Sequence, residues 1–165
     1  MNYFILKEDR NINYLLNFSQ YLNIKNKWED VVIQSNITEK TVLADYIEVK
    51  KFTFSNHIFS EKIKNVISAY REDTCFYGIF VTSQDFKSQY PYWRLDTNTL
   101  KIYEICHDFS VLEFPFIFET IKNEALFCIL QYKKEYLCFR EDLAESILRR
   151  CPINIKFRKI NIKKE

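Results

Sequence analysis

A single glycine, Gly78, occurs in 165 residues. Phosphate-cradling loops and dinucleotide-binding turns need several glycines, because there the backbone must approach phosphate closely. Both are excluded. Tight hairpins of the Asn-Gly type are excluded as well, so turns are expected to rely on Asn, Asp, Ser and Pro. With those motifs gone, the informative patterning lies in the apolar residues.

Ile63, Val66, Ile67 and Tyr70 recur at three- and four-residue spacing, which predicts a helix opening after Phe59-Ser60-Glu61. Ser60 is the expected N-cap, its hydroxyl accepting a free backbone N–H. Glu61 in the first turn suits the helix dipole. The helix leads past Cys75 into the apolar run Phe76–Val81. A second copy follows late in the chain. Phe139-Arg140-Glu141 opens a helix with the stripe Leu143, Ile147 and Leu148, which passes Cys151 and enters Ile153–Phe157. Phe, Glu, an aliphatic residue and Ile keep the same relative places in both copies, so two similar helix–strand lobes are expected.

The remaining strands are expected at Tyr3–Lys7, Trp28–Gln34, Ala44–Val49, Leu100–Ile105, Phe114–Ile121, Ala125–Tyr132, Tyr136–Phe139 and Ile153–Ile162. Tyr14–Leu22 fits helix and strand about equally. The alternation slips at Arg158-Lys159, which predicts a bulge. The length suits one domain spanning 1–165, with a lobe boundary near 107–113. The fold class is α+β with mixed or antiparallel sheets and a few short helices. With 15 Phe and 11 Tyr the core should be aromatic-rich.

A net charge of +2 is too small for a nucleic-acid footprint over the whole surface. The basic tail Lys156, Arg158, Lys159, Lys163 and Lys164 reads as a solvated face. The 5 cysteines form no Cys-x-x-Cys pair and lie among apolar residues, so buried reduced thiols and a cytoplasmic location are expected. The N-terminus lacks a basic leader, and no apolar run reaches the ~20 residues of a membrane helix.

Cys106-His107-Asp108 invites a nucleophile–base reading, but adjacent strand residues point to opposite faces. No metal-ligand spacing is present, and no pair among the carboxylates stands out. No catalytic, cofactor or metal residue is assigned, and no enzymatic activity is expected. A deep pocket joining His57 or His107 to several carboxylates would favour an enzyme instead. Tyr90-Pro91-Tyr92-Trp93 stands beside a polar loop, and Tyr and Trp are enriched in binding hot spots. Asp85, Tyr90, Tyr92 and Trp93 are therefore the candidate partner-binding residues.

Ala44-Asp45-Tyr46, Phe59–Ile67, Tyr92-Trp93-Arg94-Leu95, Asp108-Phe109-Ser110 and Leu137–Ile147 together resemble a family of bacterial immunity proteins of polymorphic toxin systems. That family carries paired "S-E-x-[IL]" helix starts. Arg140 stands where its second Ser would be, and Cys151-Pro152 where Thr-Gly is frequent. The resemblance implies a cytoplasmic, non-catalytic protein that binds and neutralises a cognate toxin domain. An intracellular adaptor module of the same architecture is the alternative.

Overall fold

The computed structural model describes residues 1–9, 11–18, 20–21, 29–51, 54–105, 113–114 and 118–162. It is a single α+β domain with two mixed sheets. In chain order come β1 (Tyr3–Lys7), β2 (Val31–Ser35), β3 (Tyr46–Lys51), β4 (Phe54–Ser60), α1 (Glu61–Tyr70), β5 (Phe76–Ser83) and β6 (Gln89–Leu95). There follow β7 (Ile102–Ile105), β8 (Glu113–Phe114), α2 (Phe118–Ile121), β9 (Leu126–Gln131), β10 (Lys134–Arg140), α3 (Glu141–Leu148) and β11 (Lys156–Ile162).

One sheet has the order β2-β5-β6-β4-β3 and the other β7-β9-β10-β1-β11-β8. Read from the opposite end, the first is β3-β4-β6-β5-β2, which superimposes in pairing and direction on β9-β10-β1-β11-β8. In each lobe the first hairpin and the two central pairs are antiparallel, and the last pair, β5–β2 or β11–β8, is parallel. The register agrees residue by residue. Tyr46 faces Phe59 and Leu126 faces Phe139. Trp93 beside Phe59 corresponds to Phe4 beside Phe139. Tyr92 and Tyr3 face Ile79 and Ile160, while Leu95 and Leu6 face Phe76 and Phe157.

The two expected lobes are therefore present, with one exchange. In the first lobe β6 follows β5 through a hairpin; in the second the same place is taken by β1, from the other end of the chain. The expected boundary at 107–113 lies almost wholly outside the described residues.

Three apolar clusters stabilise this arrangement. The largest is shared: α1, β3 and β4 give Ile63, Val66, Ile67, Tyr46 and Phe59, and the second lobe gives Leu126, Leu137, Phe139, Leu143 and Ile147. The outer face of the first sheet packs Ile33, Ile47, Ile58, Ile79, Val81 and Tyr92 under Leu16, Phe18 and Tyr21. The outer face of the second packs Tyr3, Ile5, Phe127, Ile129 and Ile160. Both sheets are thus apolar on both faces.

That two-sided burial corrects the expected bulge. β11 pairs with β1 without interruption from Lys156↔Lys7 to Ile160↔Tyr3. Phe157 packs on the shared core and Ile160 on the opposite face, so the slip in alternation marks two buried faces. The strand expected over Phe114–Ile121 is also corrected, since Phe118–Ile121 is a helical turn. Short apolar runs carry no period that separates strand from helix. Turn chemistry departs from expectation too. Tyr132 and Lys133 make a two-residue hairpin between paired Gln131 and Lys134, both at positive φ, with neither Gly nor Asn.

Ser60 does not cap α1 through its side chain. Its hydroxyl instead donates to Asp45 Oδ1 at 2.6 Å. Asp45 Oδ2 accepts Ile153 N–H at 2.8 Å and lies 3.0 Å from Lys62 Nζ. Asn154 Nδ2 donates to Tyr46 O at 2.8 Å. This buried aspartate ties the first hairpin to the loop after α3. The matching position in the second hairpin is Ala125. Among the described residues no helix is long and apolar enough to cross a membrane.

Candidate functional site

The partner-binding candidates separate by strand parity. β6 alternates, so Tyr92 lies in the covered cluster on the outer face at 3 % exposure, with its ring edge-on to Phe18 at 5.0 Å. Burial holds the Tyr92 phenol well above its ordinary range. Tyr90 packs at the rim of the same cluster. Trp93 lies on the opposite face and stays half-buried. Tyr92 is thus a core residue, and the four candidates do not form one patch.

Trp93 belongs to a different constellation. Val32, Phe80 and Pro91 stand side by side on β2, β5 and β6, on the Trp93 face of the sheet. Val32 is 62 % exposed, Pro91 is exposed and Phe80 half-buried. Phe80 meets Trp93 edge to face at 6.4 Å, and Lys64 Nζ of α1 sits 4.7 Å from the Trp93 ring centre. Gly78 faces Trp93 across the pair. A Cβ there would lie 2.9 Å from the Phe80 ring and 3.2 Å from the Asp30 carboxyl carbon. Gly78 N–H donates to Asp30 Oδ1 at 2.6 Å. The chain's glycine therefore serves a close approach: the absent side chain is where Phe80 lies down against the sheet.

Beyond this row the β5–β6 turn presents Phe86, 69 % exposed and at φ 57°. Asp85 holds that turn. Its Oδ1 accepts Ser83 Oγ–H at 2.6 Å and Lys87 N–H at 3.2 Å, and Ser88 N–H donates to Ser83 Oγ at 3.0 Å. These bonds, led by the one from Ser83, hold the Asp85 carboxyl below the usual carboxylate range. Asp85 thus shapes the turn. The sequence singled out Trp93 and Asp85, whereas Val32, Phe80 and Phe86 were missed because alternation assigns them no side until the strand order is known.

A concave feature lies between the lobes. A cleft of about 390 Å³ is lined by His57, Glu135, Glu48, Glu8, Lys50 and Lys134, among others. It joins His57 to several carboxylates, the arrangement that would favour an enzyme, so the chemistry of the imidazole matters. Tyr46 and His57 are buried, with Tyr46 Oη 2.8 Å from His57 Nδ1. The buried hydroxyl has no other acceptor among the described residues, so it donates to Nδ1, and Nε2 carries the ring proton. Burial and the three carboxylates raise the Tyr46 phenol well above its ordinary range, which keeps it a donor.

Nε2–H then faces Glu135 Oε1 at 3.5 Å, too long for a full hydrogen bond. In this state the imidazole presents no lone pair to the cleft. Cys128 Sγ lies 3.9 Å from Glu135 Oε1, but burial pushes its thiol well above the ordinary range, so it is no ready nucleophile. His57 occupies the place of Leu137 in the other lobe, which makes it part of the joint between β4 and β10. Cys106, His107 and Asp108 lie outside the described residues. No group of three or more His, Cys, Asp or Glu side chains able to hold a metal occurs among the described residues.

No protein-family model matches the chain, and no curated protein sequence matches it.

Proposed function

We propose that the protein is a non-catalytic binder that docks a partner protein on the face formed by Val32, Phe80, Pro91 and Trp93. The resemblance to immunity proteins suggests a cognate bacterial toxin domain as that partner, neutralised by obstruction in the cytoplasm. The observation that carries the reading is the Phe80–Trp93 pair, seated on Gly78 and partly open to solvent beside exposed Val32. Rigid aromatic rings flanked by small apolar groups are what interface anchors are made of. A tight complex needs about 1,200–2,000 Å² of buried surface, of which this row would be the centre and the Phe86 turn a rim.

The test is co-expression with the product of the adjacent reading frame, expected on this reading to be the toxin. The unaltered protein should protect the host, and Trp93→Ala and Phe80→Ala should each weaken the complex by at least about 2 kcal/mol while the far-ultraviolet spectrum is unchanged. Protection and affinity untouched by both substitutions would remove the assignment.

A further inference from the structure

The matched lobes differ at one edge. In the second lobe the outer side of β9 is covered by β7, which pairs parallel from Ile102↔Cys128 to Ile105↔Gln131. Cys128 N–H donates to Lys101 O at 2.9 Å. The corresponding strand of the first lobe, β3, is the last in its sheet. Ser60 N–H donates to Asp45 O, so by antiparallel alternation the backbone groups of Tyr46, Glu48 and Lys50 point away from β4. Tyr46 O is met by Asn154, and Glu48 N–H donates to Glu8 Oε1 at 2.8 Å. Glu48 is the counterpart of Cys128, so the Glu8 carboxylate stands where the carbonyl of Lys101 stands in the other lobe. No described residue meets the carbonyl of Glu48 or the backbone N–H and carbonyl of Lys50. A groove of about 520 Å³ runs along this edge between Ile47–Lys50 and Leu15–Phe18.

We infer that the edge of β3 receives an extended segment of a partner protein, added parallel to β3 as β7 adds to β9. Unpaired strand backbone is a template for such addition, and the flanking pockets select alternate side chains. The internal copy specifies the occupant. Tyr103 lies on the Phe127 face of its sheet, ring centres 5.4 Å apart, and Phe127 corresponds to Ile47. The incoming segment therefore needs apolar or aromatic side chains two residues apart, against Ile47, Val49, Leu16 and Phe18. Glu104 is paired with Leu130, the counterpart of Lys50. An acid at that place of the segment would lie beside the Lys50 ammonium, which already meets Glu48 Oε2 at 3.2 Å and would be shared between the two carboxylates. This inference is independent of the aromatic face, which lies on other strands.

The probe is a capped peptide carrying Leu100–Ile105, titrated into the intact protein and followed by amide chemical shifts. The amides of Ile47–Lys50 should move. N-methylation at the Tyr103 position, whose N–H would point at β3, should abolish binding; N-methylation at the Glu104 position, facing away, should not. Lys50→Pro removes an outward N–H without touching the β4 ladder and should weaken binding about ten-fold relative to Lys50→Ala. Glu8→Ala should tighten it about three-fold by freeing Glu48 N–H. A peptide that leaves these amides unmoved, or that binds equally with either N-methyl group, overturns the inference. So does dimerisation through the same amides without peptide, which would assign the edge to a second copy of the chain.

Discussion

Where a chain has almost no glycine, its turns must place ordinary residues in the left-handed region. Tyr14, Phe86, Tyr132, Lys133, Cys151 and Asn154 all do so. Each non-glycine residue there costs about 1 kcal/mol or more. Tyr132→Asn with Lys133→Gly should therefore raise the urea midpoint, by about 1–2 kcal/mol of stability, and unchanged stability would show that the turn is not strained. The Tyr46–His57 pair is the opposite case, a buried polar contact with no slack. His57→Leu supplies the residue found at the matching position 137 but strands the Tyr46 hydroxyl, at a cost of about 1–3 kcal/mol. Tyr46→Phe strands Nδ1 in turn. The double variant should recover at least about 0.5 kcal/mol relative to the sum, and strict additivity in urea melts would refute the Tyr46–His57 hydrogen bond. None of this was legible beforehand, because a hydrogen bond between β3 and β4 depends on register, and the sequence shows only that Tyr46 and His57 exist.

Periodic elements were legible where one physical demand dominated. Both longer helices were read from their stripes, since Ile63, Val66 and Ile67 and then Leu143 and Ile147 are buried as spaced, although Tyr70 and Leu148 at the ends of the stripes are exposed. Reading failed at Phe118–Ile121, too short for a period, and at β11, where two buried faces overlay each other. The start of α3 is held by contacts that no period shows. Arg140 cannot cap, yet its guanidinium grips Asp142 through Nε and Nη2, both at 2.8 Å, while Asp142 Oδ1 accepts Leu143 N–H at 2.9 Å. These contacts, the Arg140 bonds foremost, hold the Asp142 carboxyl below its usual range. Its folded value is lowered, so its stabilisation is complete above the unfolded value of about 3.9 and disappears as pH falls through the folded one. Asp142 is about half exposed, which limits the effect to roughly 0.5–1 kcal/mol. Asp142→Asn should lose that amount at pH 7 and converge with the parent protein in acid; a difference that persists at low pH would mean that packing is responsible.

At the scale of the molecule, the exchange of β1 decides how the lobes cohere. The first lobe is contiguous through β2–β6, but the second is incomplete without a strand from the other end of the chain. The shared cluster draws Leu6 as well as Phe59 and Phe139 into one core. The repeat was visible in its helix–strand halves, and the exchange was not, because Tyr3–Lys7 carries nothing that names its neighbours. Topology makes the arrangement testable. Tyr3 is paired with Ile160, as Tyr92 is with Ile79, so a turn like Ser83–Ser88 could join β11 to β1. A circular permutant closed by such a turn and opened between Asn11 and Asn13, which are exposed, makes both lobes contiguous while keeping every pair. Permutation at exposed loops with neighbouring termini is generally tolerated. The permutant should unfold in one transition within about 1 kcal/mol of the parent. Two separate transitions would show that the exchanged strand, rather than the shared core, is what couples the lobes.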